Sequence, residues 1–187
     1  MHIRKFAFRV LAVSIAALFL FLSHASAQQR LVIIGGGARP AAALARFDEW
    51  AGKEKAHILI IPWATQSPDV AFKNLQEDFA PYPKAVIEAA PAAPLTEATK
   101  IKFLDQLKTA TGVFFSGGDQ GRIMDVLKDQ SLLQALTKRY HEGVVFGGTS
   151  AGAAIMSRRM ITGEGDFKLI DGEKSKHVRV WRCCRIT

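Results

Sequence analysis

Residues 144–156 read Val-Val-Phe-Gly-Gly-Thr-Ser-Ala-Gly-Ala-Ala-Ile-Met, a hydrophobic run that breaks at two glycines and a serine. Gly148, Ser150 and Gly152 fit the G-x-S-x-G pattern, in which a serine occupies a strained turn between a strand and a helix. Glycines two residues to either side avoid a clash between the turn and its neighbours, and the turn pushes the hydroxyl out of the sheet. The next amide, that of Ala151, and the helix N-terminus then lie where an oxyanion would form. The corresponding chemistry is acyl transfer with Ser150 as nucleophile. The same five residues also suit an ordinary tight strand-to-helix connection, and the pattern alone leaves both readings open.

A second glycine turn, Ser116-Gly117-Gly118-Asp119-Gln120, ends the preceding apolar run. Gly117 and Gly118 lack a β-carbon, so their N–H groups can approach a substrate carbonyl. Asp119 and Gln120 open the helix that follows, with Asp119 placed to cap it. The loop Gly35-Gly36-Gly37-Ala38-Arg39-Pro40 could cradle an anion, but it lacks the G-x-G-x-x-G spacing and the later acid of a dinucleotide site.

A serine nucleophile needs a base, and the base needs an acid to orient it. After Ser150 the only histidine is His177. His141 precedes the nucleophile strand and reads as the end of a helix, and His57 opens a strand at the opposite edge of the sheet. Two carboxylates, Glu164 and Asp166, follow the elbow, and each reads equally as a solvated loop acid. Nothing in this chemistry requires a metal or cofactor, and no metal-ligand spacing occurs.

The elements that must position these groups are legible as alternation. Apolar runs at 30–34, 57–61, 84–90, 112–115 and 143–149 predict five buried strands. Helical patterns are expected over 40–53, 69–79, 121–128, 131–141 and 151–159. A further helix is capped by Thr96, with Ile101, Leu104 and Leu107 on one face. Buried strands alternating with helices imply a mostly parallel, doubly wound sheet with helices on both faces, a three-layer α/β sandwich. Ligands of such sheets bind beyond the carboxyl ends of the strands. Glycine clusters at 35–37, 117–118 and 147–148 are expected to converge on that edge.

The chain has 187 residues and a formal charge of +8. Arg4, Lys5 and Arg9 precede an apolar run at 10–22 and the small residues Ala25 and Ala27, the pattern of a signal peptide cut after Ala27. The run is short for a membrane span, so no stable anchor is expected. The product would be periplasmic or extracellular. Lys174, Lys176, Arg179, Arg182 and Arg185 carry the rest of the excess, so residues 28–173 are electrically balanced. A folded body without a basic face argues against nucleic acid as a partner. Cys183 and Cys184 are adjacent and leave the body, residues 28–176, without a cysteine.

Taken together, "VIIGGG", "FFSGGDQGRI" and "GTSAGAAIMSRRMITGEG" resemble the cyanophycinase branch of a serine peptidase family that also holds the aspartyl dipeptidases. The resemblance implies a flavodoxin-like fold related to the class I glutamine amidotransferases. It implies Ser150 as nucleophile and Ala151 with Gly117 or Gly118 as the oxyanion hole. Asp119 and Gln120 then belong to the substrate-positioning turn, and the acid the family carries after the elbow helix is best matched by Glu164, with Asp166 next. The implied reaction is hydrolysis of cyanophycin, a poly-aspartate carrying arginine side chains, to β-Asp-Arg dipeptides. The implied partner is a peptide or polymer substrate, and related enzymes suggest a homodimer.

The chain departs from that pattern at the histidine. The family carries it in a "DQHF" motif about forty residues after the serine, and no such motif occurs here. Residues 177–187 shift abruptly in composition. Read two bases out of frame, the codons of residues 179–187 admit Gly-Leu-Ala-Leu-Leu-Pro-Asp, close to the family's segment before that motif. The expectation is therefore a frameshifted fragment whose activity is impaired. The rival functions are an aspartyl or isoaspartyl dipeptidase and an inactive binding protein. A glutamine amidotransferase would need cysteine where Ser150 stands.

Overall fold

The computed structural model describes residues 27–82 and 86–160, and the backbone of 161 and 177–179. Five strands form one sheet: β1 (Leu31–Ile34), β2 (His57–Ile61), β3 (Val86–Ala89), β4 (Gly112–Phe115) and β5 (Val145–Thr149). Their order is β1-β5-β4-β2-β3, and every pairing is parallel. The connections are α1 (Ala41–Ala51), α2 (Pro68–Asp78), α3 (Glu97–Thr109), α4 (Gln120–Leu127) and α5 (Gln130–His141). After β5 come a short helix α6 (Ala151–Ala154) and a separate antiparallel pair, β6 (Arg159–Ile161) with β7 (His177–Arg179). The expected doubly wound α/β sandwich is the observed fold.

The layers follow from side-chain alternation along strands buried on both faces. On one face Val32, Ile34, Ile58, Ile60, Phe114 and Val145 pack under α1 and α2, whose Leu44, Phe47, Ala51 and Leu75 complete the cluster. Phe47 meets Phe114 edge-on at 5.3 Å, and Phe79 closes the group at 5.7 Å from Phe114. On the other face Leu59, Ile61, Val113, Phe115 and Phe146 pack under α3, α4, α5 and α6, with Trp63 against Phe103 at 4.9 Å. Full burial of each such side chain contributes roughly 1.5–3 kcal/mol, so the two clusters hold the sheet without a disulfide.

Three expectations need correction. The face of α3 that meets the sheet is Phe103 with Leu107, whereas Ile101 is 59% exposed. Phe103, Leu107 and Ala110 follow the four- and three-residue steps of one helical stripe, and Ile101 lies off it. The elbow helix stops at Ala154 instead of continuing to residue 159, because the Ser157 hydroxyl and amide both turn back to the Ala154 carbonyl, at 2.7 and 3.2 Å. Gly147 and Gly148 lie within β5, buried, and do not form a loop at its end.

The cap predicted at Thr96 is present, as a reciprocal pair in which Thr96 and Thr99 each bond the other's amide. Residues 1–26, 83–85, 162–176 and 180–187 lie outside the described residues. The signal segment, Glu164, Asp166 and most of the terminal tail fall there.

Candidate active site

Because β1, β4 and β5 are parallel neighbours, their carboxyl ends deliver Gly35, Ser116 and Ser150 to one edge of the sheet. Ser150 is the residue between β5 and α6. Its backbone sits at φ 51°, ψ −115°, a region that non-glycine residues avoid at a cost of about 1–3 kcal/mol. Three hydrogen bonds hold it there. Its amide donates to the Ile34 carbonyl of β1 at 3.0 Å, and its carbonyl accepts from Ala153 and Ala154 at 3.0 and 2.9 Å. Its side chain is exposed, whereas Thr149 and Ala151 on either side are buried.

The glycines flanking the serine are set by close approach. A β-carbon on Gly148 would come within 2.5 Å of the Gly152 carbonyl, and one on Gly152 within 2.4 Å of the Phe115 carbonyl on β4. Helix α6 can therefore start directly over the sheet only if both positions lack a side chain. That is the physical content of the G-x-S-x-G spacing in this chain.

The turn after β4 lies against the elbow. A β-carbon on Gly117 would stand 3.3 Å from that of Ser150. Gly118 has φ 141° and rests on the Ala64 carbonyl, while the Asp119 amide donates to that same carbonyl at 2.8 Å. Asp119 caps α4 by accepting from the Gly121 amide at 2.7 Å, and Gln120 is the first residue of that helix. The amides of Gly117, Gly118 and Ala151 donate to no backbone acceptor among the described residues. The structure thus brings Ser150, Ala151, Gly117 and Gly118 to one edge, with Asp119 and Gln120 immediately behind.

These groups border a cleft of about 270 Å³ lined by Gly36, Gly37, Arg39, Asn74, Ser116, Gly117, Thr149 and Ser150. A larger cavity, about 430 Å³, lies on the opposite face beside α3, α4 and α5, where Glu97, Lys100, Arg122 and Asp129 line it. It contains none of the strand-end groups. The smaller cleft is the chemical candidate because it holds the exposed Ser150 hydroxyl and is lined by Gly117 and Gly118.

Neither histidine with a described side chain reaches this cleft. His57, at the amino end of β2, pairs with Glu88 at 2.5 Å. His141 ends α5 and bonds Gln29 at 2.7 Å. Both placements agree with the sequence reading.

Sequence reasoning missed Arg39, Asn74, Asp78 and Ser116. Arg39 stood in the glycine loop read as an anion cradle, which was a usable signal. Asn74 comes from α2, and nothing in its neighbourhood in sequence marks it. Ser116 is buried and its hydroxyl has no hydrogen-bond partner among the described residues. Asp78 bonds the Arg39 guanidinium Nε from the end of α2.

Comparison with known proteins places this geometry in a family. Residues 31–177 match peptidase family S51. A cyanophycinase of Thermosynechococcus vestitus (strain NIES-2133 / IAM M-273 / BP-1) is 33% identical over 145 residues, 75% of this chain and 45% of that protein. A cyanophycinase of Nostoc sp. (strain PCC 7120 / SAG 25.82 / UTEX 2576) is 33% identical over 116 residues, 62% of this chain and 39% of that protein. The chain thus matches less than half the length of these curated relatives. Among solved structures, a peptidase from an acI-B1 Actinobacterium aligns with TM-score 0.60 at 21% identity, covering 81% of this chain and 63% of the other. A candidate peptidase E protein of Listeria monocytogenes EGD-e aligns with TM-score 0.62 at 16% identity, covering 85% and 77%. These two likenesses concern the fold. The family match over most of the chain, with parallel-sheet neighbours of the same architecture, shows that the chain belongs to peptidase family S51.

Proposed function

We propose that this chain is the nucleophile-bearing body of an exported serine-type peptidase of cyanophycinase type, hydrolysing cyanophycin to β-Asp-Arg dipeptides. The observation that carries the reading is Ser150, an exposed hydroxyl on a strained elbow at the N-terminus of α6, facing a cleft bordered by glycine amides that donate to no backbone acceptor among the described residues. In this mechanism the Ser150 Oγ attacks the scissile carbonyl carbon while a base takes its proton. The Ala151 amide and the Gly117 or Gly118 amide donate to the oxyanion, with the start of α6 adding its partial positive charge. Collapse expels the amine, and water then hydrolyses the ester on Ser150 to free the serine. Asp119 and Gln120 hold the turn that positions the substrate, and Glu164 is the proposed orienting acid. Cyanophycin is the preferred substrate because the curated relatives quoted above are cyanophycinases.

The test is turnover of cyanophycin by the full chain beside Ser150→Ala. Release of β-Asp-Arg above the Ser150→Ala background is expected. Equal rates would leave the second reading, a binding protein of this fold. One observation favours that alternative: neither described histidine side chain lies at the cleft. Export predicts a mature N-terminus at Gln28, checked by N-terminal sequencing of the product expressed with its leader.

A further inference from the structure

Arg39 is the one charged side chain among the described residues that line the Ser150 cleft. It is partly buried, and its Nε donates to the Asp78 carboxylate. Asp78 does not itself line the cleft, so it holds the guanidinium from behind. The terminal nitrogens of Arg39 have no hydrogen-bond partner among the described residues. A guanidinium fixed through Nε presents its two terminal N–H groups as a fork, the geometry that matches a carboxylate in two parallel bonds.

A second, independent feature points to the same occupant. Ser116 lines the cleft and is only 2% exposed, yet its hydroxyl has no hydrogen-bond partner among the described residues. It is the residue just after β4, two on from Phe114, and its amide still bonds the Ile61 carbonyl of β2, so the strand's alternation carries it to the α1–α2 side of the sheet, where Arg39 and Asn74 also lie. A buried hydroxyl without a partner is unfavourable and calls for an explanation. A ligand oxygen in the cleft supplies one. Asn74, on α2, adds an amide that can donate to that oxygen.

We propose that Arg39, braced by Asp78, forms with Ser116 and Asn74 a carboxylate-binding subsite beside Ser150 that selects substrates by a free carboxylate near the scissile bond. The inference rests on the peptidase reading for its purpose, not for its chemistry. Two substrate carboxylates fit. One is the α-carboxylate of an arginine joined through a β-aspartyl amide. The other is the side-chain carboxylate of an aspartyl dipeptide. In either case Arg39 is a specificity-determining residue and takes no part in bond breaking.

The experiment is calorimetric titration of the full-length Ser150→Ala chain with two matched pairs of probes. One pair is β-Asp-Arg and its arginine amide; the other is Asp-Leu and Asn-Leu. Arg39→Gln is expected to weaken binding of the acid member by about 10- to 100-fold, as loss of a charged hydrogen-bonded pair does. The neutral member should bind parent and variant equally. The pair that shows the effect identifies the carboxylate. Ser116→Ala, which removes only a hydroxyl, should weaken the same acid and remain folded, so the question is decided even if Arg39→Gln does not fold. Equal binding of acid and neutral members by the parent would overturn the subsite. So would equal loss on both in Arg39→Gln, an unaltered acid affinity in Ser116→Ala, or no binding at all. The peptidase reading fails separately: it is lost if the wild-type chain turns nothing over, whether or not carboxylates bind.

Discussion

The strain at Ser150 can be measured apart from its hydroxyl. Ser150→Ala and Ser150→Gly both delete the oxygen, but only glycine relaxes at φ 51°, ψ −115°. Holding a residue with a β-carbon in such a region costs about 1–3 kcal/mol. Glycine in turn gives back about 0.4–1 kcal/mol through the greater freedom of its unfolded chain. The balance makes the glycine variant more stable than the alanine variant by about 1 kcal/mol, with an upper bound near 2.5 kcal/mol. The bonds from Ser150 to Ile34, Ala153 and Ala154 involve only backbone atoms, so they persist in both variants and cancel from the comparison. Equilibrium unfolding in guanidinium chloride, fitted with a common slope, reads the difference directly. The thermal midpoint should follow by about 2–4 °C. If Ser150→Ala proves as stable as Ser150→Gly or more so, the turn is not strained, and the argument that the fold forces this hydroxyl outward collapses with it.

Gly152→Ala should lower stability by about 1–3 kcal/mol, because its β-carbon meets the Phe115 backbone with no side chain able to yield. Gly36→Ala, with open space around it, should leave unfolding unchanged or slightly harder; denaturation of both variants checks the contrast. Phe114→Ala removes the ring shared by Phe47 and Phe79 and should cost about 3–5 kcal/mol, read from the denaturation midpoint. Lys100, 2.6 Å from Asp129, and then Ser131 hold the Asp129 carboxyl well below its ordinary value of 3.8, while Asp129 raises Lys100. The folded-state pKa of Asp129 is depressed, so its contribution is full above the unfolded value and fades as pH falls below about 4. The stability difference between wild type and Asp129→Asn should therefore shrink between pH 7 and pH 3, and a constant difference would contradict the pairing.

Much of the fold was legible because the relevant signals are local. Apolar runs of four to seven residues, most bounded by glycine or proline, located all five strands of the sheet. Thr96 and Asp119 announced their caps by residue type. Where reading failed, a neighbour distant in sequence made the choice. Ile101 looked like part of the buried stripe of α3 until Phe103 took that place against Trp63. The elbow helix had an apolar continuation through Met156, but the Ser157 hydroxyl and amide close it at the Ala154 carbonyl.

For the site the division is sharper. The sequence alone marked the elbow, since Gly148, Ser150 and Gly152 fall in one five-residue pattern and Gly148 meets Gly152 within it, and it marked the glycine turn with Asp119; the approach of Gly152 to Phe115 on β4 belongs to the tertiary structure. Tertiary structure decided what stands in front of the serine. Arg39 comes from the loop after β1, Asn74 and Asp78 from α2, and Ser116 from the end of β4. They meet because β5 inserts between β1 and β4, an order set by packing two hydrophobic clusters on opposite faces of one parallel sheet. Strand order is a property of which faces bury together, and no local pattern encodes it.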